Sequence, residues 1–166
     1  MTAQETRATT PAHPSRAALD RAPPGPGQEP ALRAMLEARS VALVGASPRP
    51  GTLGQRMVAE VARSPASPAM YLVNPKYREI GGVPCHPSLA ALPRPVDLVL
   101  LGVPDAALAA QVELAARRGD RAAVIFGSAF GDGLREQIAT TARGAGMALC
   151  GAGCMGCRTR SIWRRT

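Results

Sequence analysis

The residues best equipped for chemistry fall just after short apolar runs. Gly45-Ala46-Ser47-Pro48-Arg49-Pro50-Gly51-Thr52-Leu53-Gly54 follows the run Val41 to Val44 and leads into a helix start. Glycines let backbone approach a phosphate, exposed N–H groups and the helix dipole favour an anion, and Ser47 and Thr52 add hydroxyl donors. Such a turn suits a phosphate-bearing ligand; it is also what a plain tight strand-to-helix connection requires. The spacing is not G-x-G-x-x-G, so the dinucleotide fingerprint is missing. The second run ends in Val73-Asn74-Pro75-Lys76-Tyr77, where a nicotinamide-dinucleotide domain ordinarily carries an acid for the ribose hydroxyls. Here no carboxylate is present, and Lys76 is the chain's single lysine. Its ammonium suits an extra phosphate on an adenosine ribose, as coenzyme A and NADP both present; a solvated loop lysine is the plainer alternative.

The third run ends in Gly102-Val103-Pro104-Asp105 and the fourth in Phe126-Gly127-Ser128-Ala129-Phe130-Gly131-Asp132-Gly133. Asp105 and Asp132 read as helix N-caps rather than catalytic acids. The glycine-rich stretch Gly127 to Gly133 can line a channel for a thiol-bearing pantetheine arm, or simply join two elements. No residue reads as catalytic. The histidines are His13, in a Pro-rich stretch, and His86, assigned to the loop after the second strand in a structural or solvent-facing role. Cys154-Met155-Gly156-Cys157 has redox or metal spacing, but no second ligand pair or nearby histidine completes a zinc site, and no metal is expected.

These loops need a frame. Unbroken apolar runs at Val41 to Val44, Met70 to Val73, Leu98 to Val103, Ala122 to Phe126 and Met147 to Cys150 read as strands covered on both faces. Between them lie amphipathic segments: Thr52 caps one carrying Leu53, Met57, Val58 and Val61. Asp105 precedes Leu108, Val112, Ala115 and Ala116 with Gly119 as the stop, and Asp132 precedes Leu134, Ile138 and Ala142. Strand and helix alternating in this way predict an α/β fold, a Rossmann-like three-layer sandwich around a parallel five-stranded sheet. A short helix is predicted at Ala31 to Arg39 from the spacing of Leu32, Met35 and Leu36. Residues 1 to 30 hold six prolines and hardly a large apolar side chain, so they read as a disordered extension. The domain spans 31 to 156, and 157 to 166 form a basic irregular tail.

With 166 residues, 46% of them apolar, the chain can bury one real core; at 3% aromatic that core is aliphatic and surfaces for stacking bases are scarce. The net charge of +8 comes from scattered arginines concentrated only at Arg158, Arg160, Arg164 and Arg165, which disfavours nucleic acid as a partner. No stretch approaches the roughly 18 to 20 apolar residues of a membrane span, and no secretory h-region is visible, so a cytoplasmic protein with reduced thiols is expected.

Taken in order, Ser40-Val41-Ala42-Leu43-Val44-Gly45-Ala46-Ser47, Gly51-Thr52-Leu53-Gly54, Val73-Asn74-Pro75-Lys76-Tyr77, Pro87-Ser88-Leu89, Val103-Pro104 and Gly151-Ala152-Gly153-Cys154-Met155-Gly156 resemble the CoA-binding domain of the ADP-forming acetyl-CoA and acyl-CoA synthetases. That family is related to the alpha subunit of succinyl-CoA synthetase and to small stand-alone CoA-binding proteins. The resemblance implies coenzyme A or an acyl-CoA as ligand. By it, Gly45, Ala46, Ser47, Gly51, Thr52 and Gly54 hold phosphates, Asn74 and Lys76 meet the nucleotide end, Val103 and Pro104 pack beside adenine, and Gly127 and Ser128 flank the pantetheine route. Family members read Gly-Pro-Asn-Cys where this chain reads Gly151-Ala152-Gly153-Cys154. They continue into a second domain with a phosphorylated histidine, and an ATP-grasp module lies elsewhere. The last ten residues look unlike that continuation. A truncated reading frame without ligase turnover of its own is therefore expected, with a partner chain as a possible source of the other domains. Two alternatives stay open: an NADP-binding oxidoreductase domain using the same Lys76, and a basic nucleic-acid-interacting protein.

Overall fold

The computed structural model describes residues 29–151. The expectations for the Pro-rich extension, the basic tail, the Gly153–Gly156 motif and the Cys154/Cys157 pair lie outside the described residues. Helix α1 (Glu29–Leu36) leads into strand β1 (Ser40–Val44), then α2 (Leu53–Ala62), β2 (Ala69–Val73), the short strands β3 (Glu79–Ile80) and β4 (Val83–His86), and a single 3-10 turn at Leu89–Ala91. Strand β5 (Leu98–Leu101), α3 (Asp105–Arg118), β6 (Ala122–Ile125), α4 (Leu134–Gly144) and β7 (Ala148–Gly151) complete it.

The strands form one sheet in the order β3-β4-β2-β1-β5-β6-β7, parallel except for the antiparallel β3–β4 pair. The expected α/β Rossmann-like sandwich is present, but the sheet has seven strands, not five. The two additional ones are a hairpin whose turn residues Gly81 and Gly82 have φ of 60° and 81°. Glycine is needed there because two successive positive φ angles define the turn that matches strand twist. His86 correspondingly lies in β4, paired with Val73 of β2, and not in a loop.

Strand alternation divides the core. Val41 and Leu43 face α2 with Leu72 and Met57, whereas Ala42 and Val44 face α3 and α4 with Val99, Leu101, Leu108 and Ile138. Leu43, Leu72, Leu101 and Leu108 are wholly buried; each contributes about 2 kcal/mol through area removed from water. The predicted α1 starts and ends earlier than expected, and it buries Ala31 and Ala34 while Leu32 and Leu36 stay exposed. The strand expected to reach Val103 ends at Leu101, freeing Gly102-Val103-Pro104 as loop. Among the described residues no helix is long and apolar enough to cross a membrane.

At the amino-terminal end of the sheet, Ser40 and Asp97 clasp β1 to β5. Asp97 Oδ2 accepts from the Ser40 hydroxyl (2.9 Å) and from the Arg39 and Ser40 N–H groups (3.1 Å each), and the Asp97 N–H donates to Ser40 Oγ (3.0 Å). This places the opposite, carboxyl-terminal strand ends in register (Val44 beside Val73 and Leu101), where the loops converge.

Candidate functional site

From β1 the chain leaves to one side of the sheet, through β2, and returns to β5 on the other, so the loops diverge at the carboxyl ends of β1 and β5. A crevice must open at such a switch point. A cleft of about 400 Å³ lies there, lined among others by Gly45, Asn74, Lys76, Ser88, Val103 and Gln111. Its walls are otherwise apolar: Pro75 and Pro87 from one side, Pro104 from the other.

Gly45 sits where β1 meets β5. Its φ is 91°, and a Cβ there would overlap the carbonyl oxygen of Gly102, so backbone packs directly on backbone. Gly54, in the first turn of α2, is equally constrained, since a Cβ would collide with the carbonyl of Gly45. The turn between them is pinned by its own side chains. Ser47 Oγ accepts from Arg49 N (3.1 Å), and Thr52 Oγ1 donates to Arg49 O (2.7 Å) and accepts from Gln55 N (3.2 Å). Thr52 is thus the N-cap the sequence predicts. The earliest α2 N–H groups have no intrahelical acceptor and face outward from the helix end, as in anion-binding turns.

Asn74 ties this turn to the loop after β2. Its Nδ2 donates to Ala46 O (2.8 Å), and its Oδ1 accepts from Lys76 N (2.9 Å). Lys76 itself is exposed, and among the described residues no carboxylate pairs with it. Behind this loop Cys85 is buried, with its thiol donating to Asn74 O (3.6 Å). Burial pushes the Cys85 thiol above its usual range, the Asn74 contact opposes this, and the sulfur is therefore a packing group rather than a nucleophile. His86 is half-buried, its ring 6.3 Å from that of Tyr71.

Of the twelve residues singled out by sequence, Gly45, Asn74, Lys76, Val103 and Pro104 line the cleft. Ala46 joins through its carbonyl, and Ser47, Gly51, Thr52 and Gly54 form the adjoining turn. Gly127 and Ser128, just after β6, do not line this cleft, although Gly127 packs close against Asp105 and the carbonyl of the cleft residue Val103. Their loop is fastened down: the Asp105 carboxylate accepts from Phe130 N (2.9 Å), and Arg135 donates to Ser128 O (2.8 Å). Neither acid is a cap, for Pro104 and Gly133 occupy the N-cap positions of α3 and α4. Asp105 acts on the neighbouring loop instead. Sequence reasoning did not assign Gln111 to the site. The available signal was its position seven residues after Pro104, on the same face of α3 as the loop at its start.

A second hollow of about 330 Å³, between α1, α2 and the sheet, is lined mainly by apolar groups such as Met35, Leu36, Val61 and Leu98, and offers nothing to an anion.

Comparison with known proteins gives the family of the chain. The family model of the CoA binding domain matches residues 39–160. The ADP-forming acetate–CoA ligase I of Archaeoglobus fulgidus is 35% identical over 122 residues, covering 70% of this chain and 18% of that enzyme. This chain thus spans under a fifth of the length of that relative. The dinucleotide-forming acetyl-coenzyme A synthetase 1 of Ca. Korarchaeum cryptofilum, in its apo form, superposes with a TM-score of 0.70 at 25% identity, over 75% of this chain and 28% of that one. A conserved hypothetical protein from Pyrococcus furiosus superposes with a TM-score of 0.57 at 27% identity, over 68% of this chain and 91% of its own. With the family model spanning most of the described residues, the chain belongs to the CoA binding domain family and is similar to the CoA-binding part of ADP-forming acetyl-CoA synthetases.

Proposed function

We propose that the cleft at the ends of β1, β2 and β5 is the coenzyme A site, and that the described domain holds CoA or an acyl-CoA without itself making or breaking a bond. The observation that carries this reading is the convergence of three loops of different chemistry on one crevice: a glycine turn for phosphates, an unpaired Lys76, and an apolar Val103-Pro104 wall. The pyrophosphate lies against the Gly45–Gly54 turn, where N–H groups and the Ser47 hydroxyl meet it, while the Thr52 hydroxyl, already donating to Arg49 O, holds the turn's shape. The ribose phosphate meets Lys76, presented by Asn74. The pantetheine arm leaves the cleft toward Gly127 and Ser128, a short distance across the sheet.

A phosphoryl relay needs a nucleophilic histidine and a nucleotide site. His86, held in a strand beside Tyr71, is a structural residue in this reading. The acid–thiol ligase chemistry therefore belongs to parts supplied by another domain or chain, and the cytoplasm is the compartment proposed. Titration calorimetry with CoA, dephospho-CoA and NADP tests the assignment. CoA is expected to bind saturably, and dephospho-CoA about tenfold more weakly, a difference that Lys76→Ala abolishes. No heat with CoA, or stronger binding of NADP, overturns it.

A further inference from the structure

We propose that Gln111 reads the adenine base at its N6 amino group, making it a specificity-determining residue of the cleft. The inference rests on the CoA reading above and deepens it. Four polar side chains line the cleft: Asn74, Lys76, Ser88 and Gln111. Three of them are unsuited to read a base. Asn74 is anchored on both sides, by Ala46 O and Lys76 N, which fixes its amide plane between the two loops. Lys76 is a cation with donors only, matched to phosphate. Ser88 offers one hydroxyl, which makes no cap bond to the 3-10 turn at Leu89, and so a single point contact rather than a donor and acceptor side by side.

Gln111 differs. It lies on α3, half-buried beside the fully buried Leu108 and Val112, so its backbone is fixed by the core while its amide borders the crevice. That amide makes no hydrogen bond to any other described residue. It therefore retains an adjacent donor and acceptor, the pair that complements the N6 donor of adenine and a ring-nitrogen acceptor beside it, N1 or N7. The rest of the slot, Pro75, Pro87, Val103 and Pro104, is aliphatic and grips any flat base alike. Directional recognition of the base thus falls to Gln111.

Calorimetry on the full chain with CoA and with etheno-CoA, in which a two-carbon bridge joins N1 and N6, separates the cases. The wild type is expected to prefer CoA by about tenfold, the range of one bidentate amide–base contact. Gln111→Leu should weaken CoA by about that factor and leave etheno-CoA unchanged, with the thermal midpoint read alongside. Equal binding of the two ligands by the wild type overturns the role of Gln111, and this needs no variant to fold. A parallel loss for both ligands in Gln111→Leu also overturns it, because a packing role predicts that result. No binding of either ligand by the wild type removes the CoA assignment itself and this inference with it.

Discussion

Asn74 holds two loops with one side chain. Its amide nitrogen reaches the turn after β1 through Ala46 O, while its oxygen takes Lys76 N and so sets where the lysine leaves the backbone. Asparagine is the side chain that carries a donor and an acceptor at this length; aspartate would bring a carboxylate against a carbonyl oxygen. Replacing Asn74 by Ala leaves both partners to half-exposed water, which costs about 1 kcal/mol of stability. The larger effect is on binding. With the Lys76 loop released, CoA affinity is expected to fall about tenfold by calorimetry, with the loss concentrated in the preference for CoA over dephospho-CoA. A variant that melts lower yet keeps that preference would show that Asn74 only braces the fold.

Helix α2 begins at the turn that the cleft shares, so its first residues serve stability and site geometry together. Thr52 caps it through Gln55 N and also holds Arg49 O, closing the turn on itself. Thr52→Ala should lower the unfolding free energy by about 1 kcal/mol in urea titrations, and Thr52→Ser should restore most of it. Loss of the cap without recovery in serine would mean that the threonine methyl matters more than the hydroxyl. The elements at this end were legible because their signals are local: Gly45 after four apolar residues, a cap, and a 3.6 period in Leu53, Met57 and Val61. Strands β3 and β4 were not, because Glu79-Ile80 and Val83-Pro84-Cys85-His86 are too short and too polar to show a run, and only their paired glycines mark the hairpin. Asp105 was misread for a related reason. An acid before a helical pattern looks like a cap, and its reach to Phe130 N, 25 residues away in sequence, is set by tertiary packing.

Across the whole molecule, the carboxyl ends of the strands carry the loops of the proposed CoA cleft and the amino ends carry the polar clamps. Asp120 belongs to the second set. It is 3% exposed, accepts from Val96 N (2.8 Å) just before β5, and meets the Arg118 Nε (3.2 Å), while Arg118 also donates to the carbonyls of Leu92 and Arg94. Burial raises the Asp120 carboxyl above its ordinary value of 3.8, and the Val96 and Arg118 contacts oppose that without reversing it. The folded state therefore binds this proton more tightly than the unfolded state does. Stability from the group is then fully present below the unfolded value and is lost as pH rises through the raised folded value. In urea titrations between pH 3.5 and 6.5, wild type should gain on Asp120→Asn as the solution is acidified, since the amide does not titrate and every other carboxylate is common to both chains. A wild type that instead loses ground to Asp120→Asn on acidification would mean that the Arg118 pairing outweighs desolvation. CoA affinity should be the same in the two proteins at each pH, because a strand the length of β5, roughly 13 Å, separates this clamp from the cleft. Divergent affinities would show that the two ends of the sheet communicate, and the separation of stability from binding along the strands would fail.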